Sequence, residues 1–198
     1  MNSADGVASF GHTTGGGPRY GELVTALQRL TDAVTAADPP EPVADQTIAG
    51  INKISRVLED NECADPVRPA GHRWDLPARG HPLLIPIGNR RIAADETLGV
   101  VRFSRSHMGH PGLVHGGFLP LMFDEAFGVF PLRVDPVART AALEVRYYAG
   151  IPIDTDLTVS ARLLRTDGRK IYVAGELRDA DQLLAEADGL FIQPSVRR

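Results

Sequence analysis

Apolar residues recur along this chain at two different periods, and the change of period divides it. Leu23, Ala26, Leu27, Leu30, Ala33, Val34 and Ala37 return at three and four, which predicts an amphipathic helix over 22–37 that Asp38-Pro39-Pro40 must stop. A second helix is predicted at about 46–60 from Ile48, Ile51, Ile54, Val57 and Leu58, with Asp45 placed to cap it. The pair reads as a helical extension docked on a core. Beyond a stretch punctuated by Pro66, Pro69, Pro77 and Pro82 the period drops to two.

LLIPI (83–87) and TLGVVRF (97–103) read as strands, and four more are predicted over 139–150, 156–165, 169–179 and 183–192. Leu143, Val145 and Tyr147 alternate with Glu144 and Arg146, and Leu157, Val159, Ala161 and Leu163 with Thr158, Ser160 and Arg162. Asp167-Gly168 supplies a turn, so the four strands should form an antiparallel meander. Between the second and third strands lies GLVHGGFLPLMFDEAFGVF (112–130), predicted as a helix from about 117 to 130. One long helix amid antiparallel strands must bury its apolar face on a single curved sheet, an α+β layout. The organisation expected is a disordered tail over 1–20, a helical extension over 21–60, a connecting loop over 61–82 around Trp74, and a domain over 83–198.

Composition narrows the function classes. A formal charge of -4, with 21 basic and 25 acidic residues dispersed along the chain, provides no basic stripe for nucleic acid. No apolar run approaches the roughly 20 residues that span a bilayer, and the single cysteine, Cys63, cannot form an internal disulfide; a cytoplasmic protein is expected. GHTTGGGP (11–18) has glycines but neither the Lys-Ser/Thr nor the preceding strand of a phosphate loop.

Chemistry concentrates in the central stretch. Gly116 and Gly117 permit a sharp turn and close backbone approach, and Pro120 belongs in a first helical turn. Amides at that helix start should point outward with the positive end of the dipole behind them, suited to an anion or a developing oxyanion. Leu119, Phe123, Ala126, Phe127 and Phe130 share a core face, while Gly117, Leu121, Asp124 and Gly128 form another line, so small residues flank the acid. A solvent-facing Asp124-Glu125 pair is the plain alternative.

GLVHGG, with Asp124 nine residues after His115, followed by EVRYYAGIP and LAEADGLFI, resembles the hotdog-fold acyl-CoA thioesterases of the PaaI-like group of the thioesterase superfamily, over roughly residues 83–198. The resemblance implies a sheet wrapped around the long helix, a homodimer with its sites at the interface and a tetramer as a further option, an acyl-CoA substrate, and neither cofactor nor metal. It gives Asp124 the role of general base or nucleophile, the Gly117 amide, with Gly116, that of oxyanion donor, His115 that of orienting the loop, and Thr140 that of positioning water. Phe118, Met122 and Phe123 offer apolar contacts for an acyl chain. Arg165, Arg169 and Lys170, or Arg102 and Arg105, could meet the nucleotide phosphates.

Some departures keep other readings in play. PaaI-like relatives with an asparagine six residues before the histidine differ from this chain, which has Gly109 there. His107, His110 and His115 match no familiar metal-ligand spacing. His110, fourteen residues before Asp124, leaves room for a hotdog dehydratase, although the proline-rich loop of such enzymes is missing; a non-catalytic acyl-CoA binder would need no acid at 124.

Overall fold

The alternation of the later strands leaves one apolar sheet face to cover, and a central helix covers it. The computed structural model describes residues 13–134 and 138–194. In chain order these form α1 (Tyr20–Ala36), α2 (Glu41–Glu59), β1 (Ile87–Ile92), β2 (Glu96–Arg102), a small hairpin of β3 (Met108–His110) and β4 (Leu113–Val114), α3 (Phe118–Phe127), α4 (Val129–Val134), β5 (Arg139–Tyr147), β6 (Asp156–Asp167), β7 (Lys170–Asp179) and β8 (Gln182–Ile192). The main sheet runs β1-β2-β6-β7-β8-β5, with every neighbouring pair antiparallel. This is the expected α+β arrangement of a sheet around a helix.

Leu119, Met122, Phe123, Ala126 and Phe127 of α3 pack on inward residues of the sheet, among them Val101, Leu157, Val159, Val173, Leu177, Ala187 and Phe191. Two glycines make room for the largest of these contacts. A Cβ at Gly175 would stand 2.6 Å from the Phe127 ring and one at Gly189 would stand 2.7 Å from it, so the ring rests directly on the backbones of β7 and β8.

Differences from the sequence reading have local causes. The central helix breaks at Gly128 and resumes as α4, because Pro131 lacks the N–H that would bond the Phe127 carbonyl. The first strand is 87–92 rather than 83–87: Pro86 cannot join a ladder, while IGNRRI pairs with β2 across an irregular register in which Asn89 has φ +49. α2 begins at Glu41 behind Pro40, so Asp45 lies inside it and caps nothing. Of the tail expected over 1–20, residues 1–12 lie outside the described residues; 13–19 turn against the connecting loop, where the Arg73 guanidinium donates to the Gly15 and Gly17 carbonyls.

The two extension helices differ in how they dock. α1 buries Val24, and its Asp32 accepts a hydrogen bond from the Ser106 amide at 2.9 Å. α2 buries no residue; Val43, Ile48, Ile54, Val57 and Leu58 are each between 48% and 58% exposed. Docking on the core therefore describes α1 and not α2.

Candidate active site

The local sequence explains how the central acid is held. Asp124 sits seven residues into α3, half-buried, on a face next to the core stripe. Thr140 is the second residue of β5, and its Oγ1 donates to Asp124 Oδ1 at 2.7 Å. Sequence reasoning singled out both residues, and the fold brings them into contact.

At the other end of α3 the glycine turn folds back on itself. Phe118 N–H donates to the His115 carbonyl at 3.0 Å and Leu119 N–H to the Gly116 carbonyl at 3.2 Å. Gly117 N–H donates to Nδ1 of His115 at 3.1 Å, so that ring nitrogen is an acceptor and a neutral imidazole here carries its proton on Nε2. The outward, unpaired amides expected from the sequence thus have acceptors within the turn. Tyr147, at the far end of β5, donates its hydroxyl to the Gly116 carbonyl at 2.8 Å. Its role was not evident in the sequence beyond its place in EVRYYAGIP, because the contact depends on β5 lying alongside α3.

Gly109 supports the same turn by having no side chain. A Cβ there would lie 2.7 Å from both Cα and Cβ of His115. An asparagine at this position would collide with the histidine backbone, which accounts physically for the glycine.

Glu125, next to the acid, points the other way. Its carboxylate pairs with Arg79 at 2.7 Å, with side-chain exposures of 10% for Glu125 and 27% for Arg79. Arg79 in turn lies over the Trp74 ring at 5.1 Å, and Arg90 of β1 donates to the Glu125 and Ala126 carbonyls at 3.1 and 2.9 Å. Burial raises the Glu125 carboxyl above its ordinary range against the opposing pull of Arg79 and Arg90, with the Asp124 charge adding to the rise. These contacts fix the rotation of α3 about its axis, and with it the direction of Asp124.

Other candidate contacts fall elsewhere. Met122 and Phe123 are fully buried in the core formed with the chain's own sheet; Phe118 is half-buried with its ring 4.8 Å from that of His107. Arg102 pairs with Asp156, Arg165 stacks on Tyr172, and Arg169 donates to the Gln193 carbonyl. A cleft of about 390 Å³, lined by residues including Arg146, Glu176, Glu186 and Asp188, lies on the outer sheet face, away from α3 and Asp124.

Comparison with known proteins agrees with this frame. Residues 111–186 match the thioesterase superfamily family model. A thioesterase superfamily protein of known crystal structure aligns with a TM-score of 0.74 and 26% identity, covering 92% of this chain and 93% of that one. Acyl-coenzyme A thioesterase THEM4 of Mus musculus is 34% identical over 87 residues, 43% of this chain and 37% of its own length; an uncharacterized protein of Schizosaccharomyces pombe is 34% identical over 94 residues, 44% and 54% respectively. The chain thus spans about half or less of these curated relatives. A mutant of the phenylacetic acid degradation protein PaaI from Thermus thermophilus, at 20% identity and TM-score 0.51, shares the fold. From the wrapped helix to the glycine turn at its head, this chain has the hotdog fold of the thioesterase superfamily protein it aligns with, and its residues 111–186 match that superfamily in sequence.

Proposed function

We propose that this protein hydrolyses acyl-CoA thioesters to a free acid and CoA. The observation that carries the reading is the 2.7 Å contact between Thr140 and Asp124. It holds a carboxylate in one orientation on a helix whose neighbouring surface is core. As a base, Asp124 takes a proton from water while the water oxygen bonds the carbonyl carbon, and that proton passes to the thiolate as the C–S bond breaks. As a nucleophile, Asp124 expels the thiolate to form an anhydride, which water then cleaves to the free acid and the restored carboxylate, releasing the proton that the thiolate takes up. In the free chain Gly117 N–H is satisfied by the His115 ring. An incoming thioester oxygen replaces that ring as acceptor and gains strength from the bond as negative charge builds.

Gly117, which caps α3, and Asp124 within it are seven residues apart, roughly 10 Å along the helix axis. One carbonyl carbon cannot meet both from the same chain, so a homodimer is proposed in which one subunit offers the HGG turn, His115 to Gly117, and the other offers Asp124 and Thr140. The THEM4 likeness supports acyl-CoA as the substrate. A panel of acyl-CoAs assayed for release of free thiol tests the reading: wild type should release thiol and Asp124→Asn almost none, whereas full activity in Asp124→Asn would overturn the mechanism.

A further inference from the structure

The HGG turn is tied to the N-terminal extension by a continuous run of hydrogen bonds. Asp32 lies on α1, and its Oδ1 accepts from the Ser106 amide at 2.9 Å. Ser106 is part of a tight turn, 104–107, closed by a reciprocal cap in which the Ser104 amide donates to His107 Nδ1 at 2.9 Å. The hydroxyls of Ser104 and Ser106 are 3.1 Å apart, and Ser104 Oγ is 3.0 Å from the same His107 nitrogen. The His107 carbonyl then accepts the His115 amide at 2.8 Å, and the His115 ring accepts the Gly117 amide at 3.1 Å. A second route is apolar: the His107 ring stands edge-on between those of Phe103, at 5.7 Å, and Phe118, at 4.8 Å, and Phe118 follows Gly117 directly.

We infer that Asp32 is a positioning residue for the thioester site, acting through the 104–107 turn and His107 to hold the His115–Gly117 backbone where it receives the substrate carbonyl. The inference rests on the hydrolase reading and gives the N-terminal extension a part in it. An acid suits the position because a carboxylate can accept from the Ser106 amide and from both serine hydroxyls together, which a neutral side chain with one acceptor oxygen cannot do as well. The titration of Asp32 is consistent with this geometry: burial raises its carboxyl, and the Ser106 amide with the hydroxyls of Ser104 and Ser106 outweighs that and lowers it. The turn also has little freedom to find another arrangement, since Gly109 packs against the His115 backbone on its far side.

The test uses the full chain and three variants: Asp32→Ala, Asp32→Asn, which keeps an oxygen for the Ser106 amide, and Asp45→Ala on α2 as control. Two readouts are needed. In 1H–15N spectra without ligand, Asp32→Ala should move the Gly117 amide and His115 ring resonances, and Asp32→Asn should return them most of the way. In the thiol-release assay, Asp32→Ala should lower kcat about tenfold with KM changed less than about twofold, Asp32→Asn should recover most of the loss, and Asp45→Ala should match wild type. Unmoved Gly117 and His115 resonances in folded Asp32→Ala overturn the inference, as does an unchanged kcat beside moved resonances. Should wild type cleave no acyl-CoA, the hydrolase reading falls by itself and the spectra still decide whether Asp32 orders the turn.

Discussion

Thr140 Oγ1 donates to Asp124 Oδ1, joining the first residues of β5 to the middle of α3. A hydrogen bond to a carboxylate is worth about 1.5 kcal/mol or more, close to a tenfold change in rate if it is needed in the transition state. Thr140→Val should therefore reduce kcat roughly tenfold while KM hardly changes, and Thr140→Ser should stay within about threefold of wild type. Steady-state thiol release is the measurement. Equal rates for the valine and serine variants would mean that the hydroxyl only packs.

A site divided between two chains makes a sharper prediction. Gly109→Ala forces a methyl against the His115 backbone and should disable the turn, leaving Asp124 intact; Asp124→Asn does the reverse. When the two inactive proteins are unfolded together and refolded, half the dimers are mixed, and each has one intact site. Activity should return to about a quarter of wild type. No recovery, with mixed dimers shown by mass, would place the turn and the acid of one site in the same chain.

Glu125 is predicted to serve stability and helix orientation rather than chemistry. Removing it leaves Arg79 and Arg90 beside the helix without their carboxylate, so Glu125→Ala should cost about 2–3 kcal/mol in urea unfolding, the lower end for a buried pair because Arg79 is partly exposed.

The same residue gives a signed pH dependence. Because burial raises the Glu125 carboxyl, the folded chain holds that proton more tightly than the unfolded chain does. This contribution is complete below the ordinary value of 4.5 and is lost as pH climbs through the folded value. Stability of wild type relative to Glu125→Gln should fall with rising pH just above 4.5, measured by urea midpoints; a flat difference would show that Arg79 and Arg90 offset the burial completely.

Packing around Phe127 offers a test that touches no polar group. Gly175→Ala sets a methyl 2.6 Å from that ring and from the Ser160 carbonyl, a clash expected to destabilise the fold by about 1–3 kcal/mol. Gly168→Ala in the β6–β7 turn meets no neighbouring atom and strains only its own backbone at φ +55, so it should cost less.

What was legible in the sequence follows from burial on one face. β6, β7 and β8 alternate because one side meets α3 and the other meets solvent, so their limits could be read to within two residues. β1 obeyed no such rule, since Arg90 points inward and is satisfied by helix carbonyls rather than by apolar neighbours. The hairpin of β3 and β4 was missed because strands of three and two residues are too short to show a period. A family likeness singled out Asp124 and Thr140 with separate roles; the hydrogen bond that joins them depends on β5 lying beside α3. The Arg79–Glu125 pair joins residues 46 apart across a loop, and nothing in local pattern announces it.

The order of strands also has a consequence for the timing of assembly. β5 pairs with β8, and Thr140 lies opposite Phe191. During synthesis β5 emerges long before this partner, and its backbone groups wait until β6, β7 and finally β8 have been laid down beside one another. Contacts between distant parts of a chain form late. The strand that carries the hydroxyl for Asp124 is thus fastened last, and a nascent chain halted before residue 182 would have the acid and the helix but no settled place for Thr140.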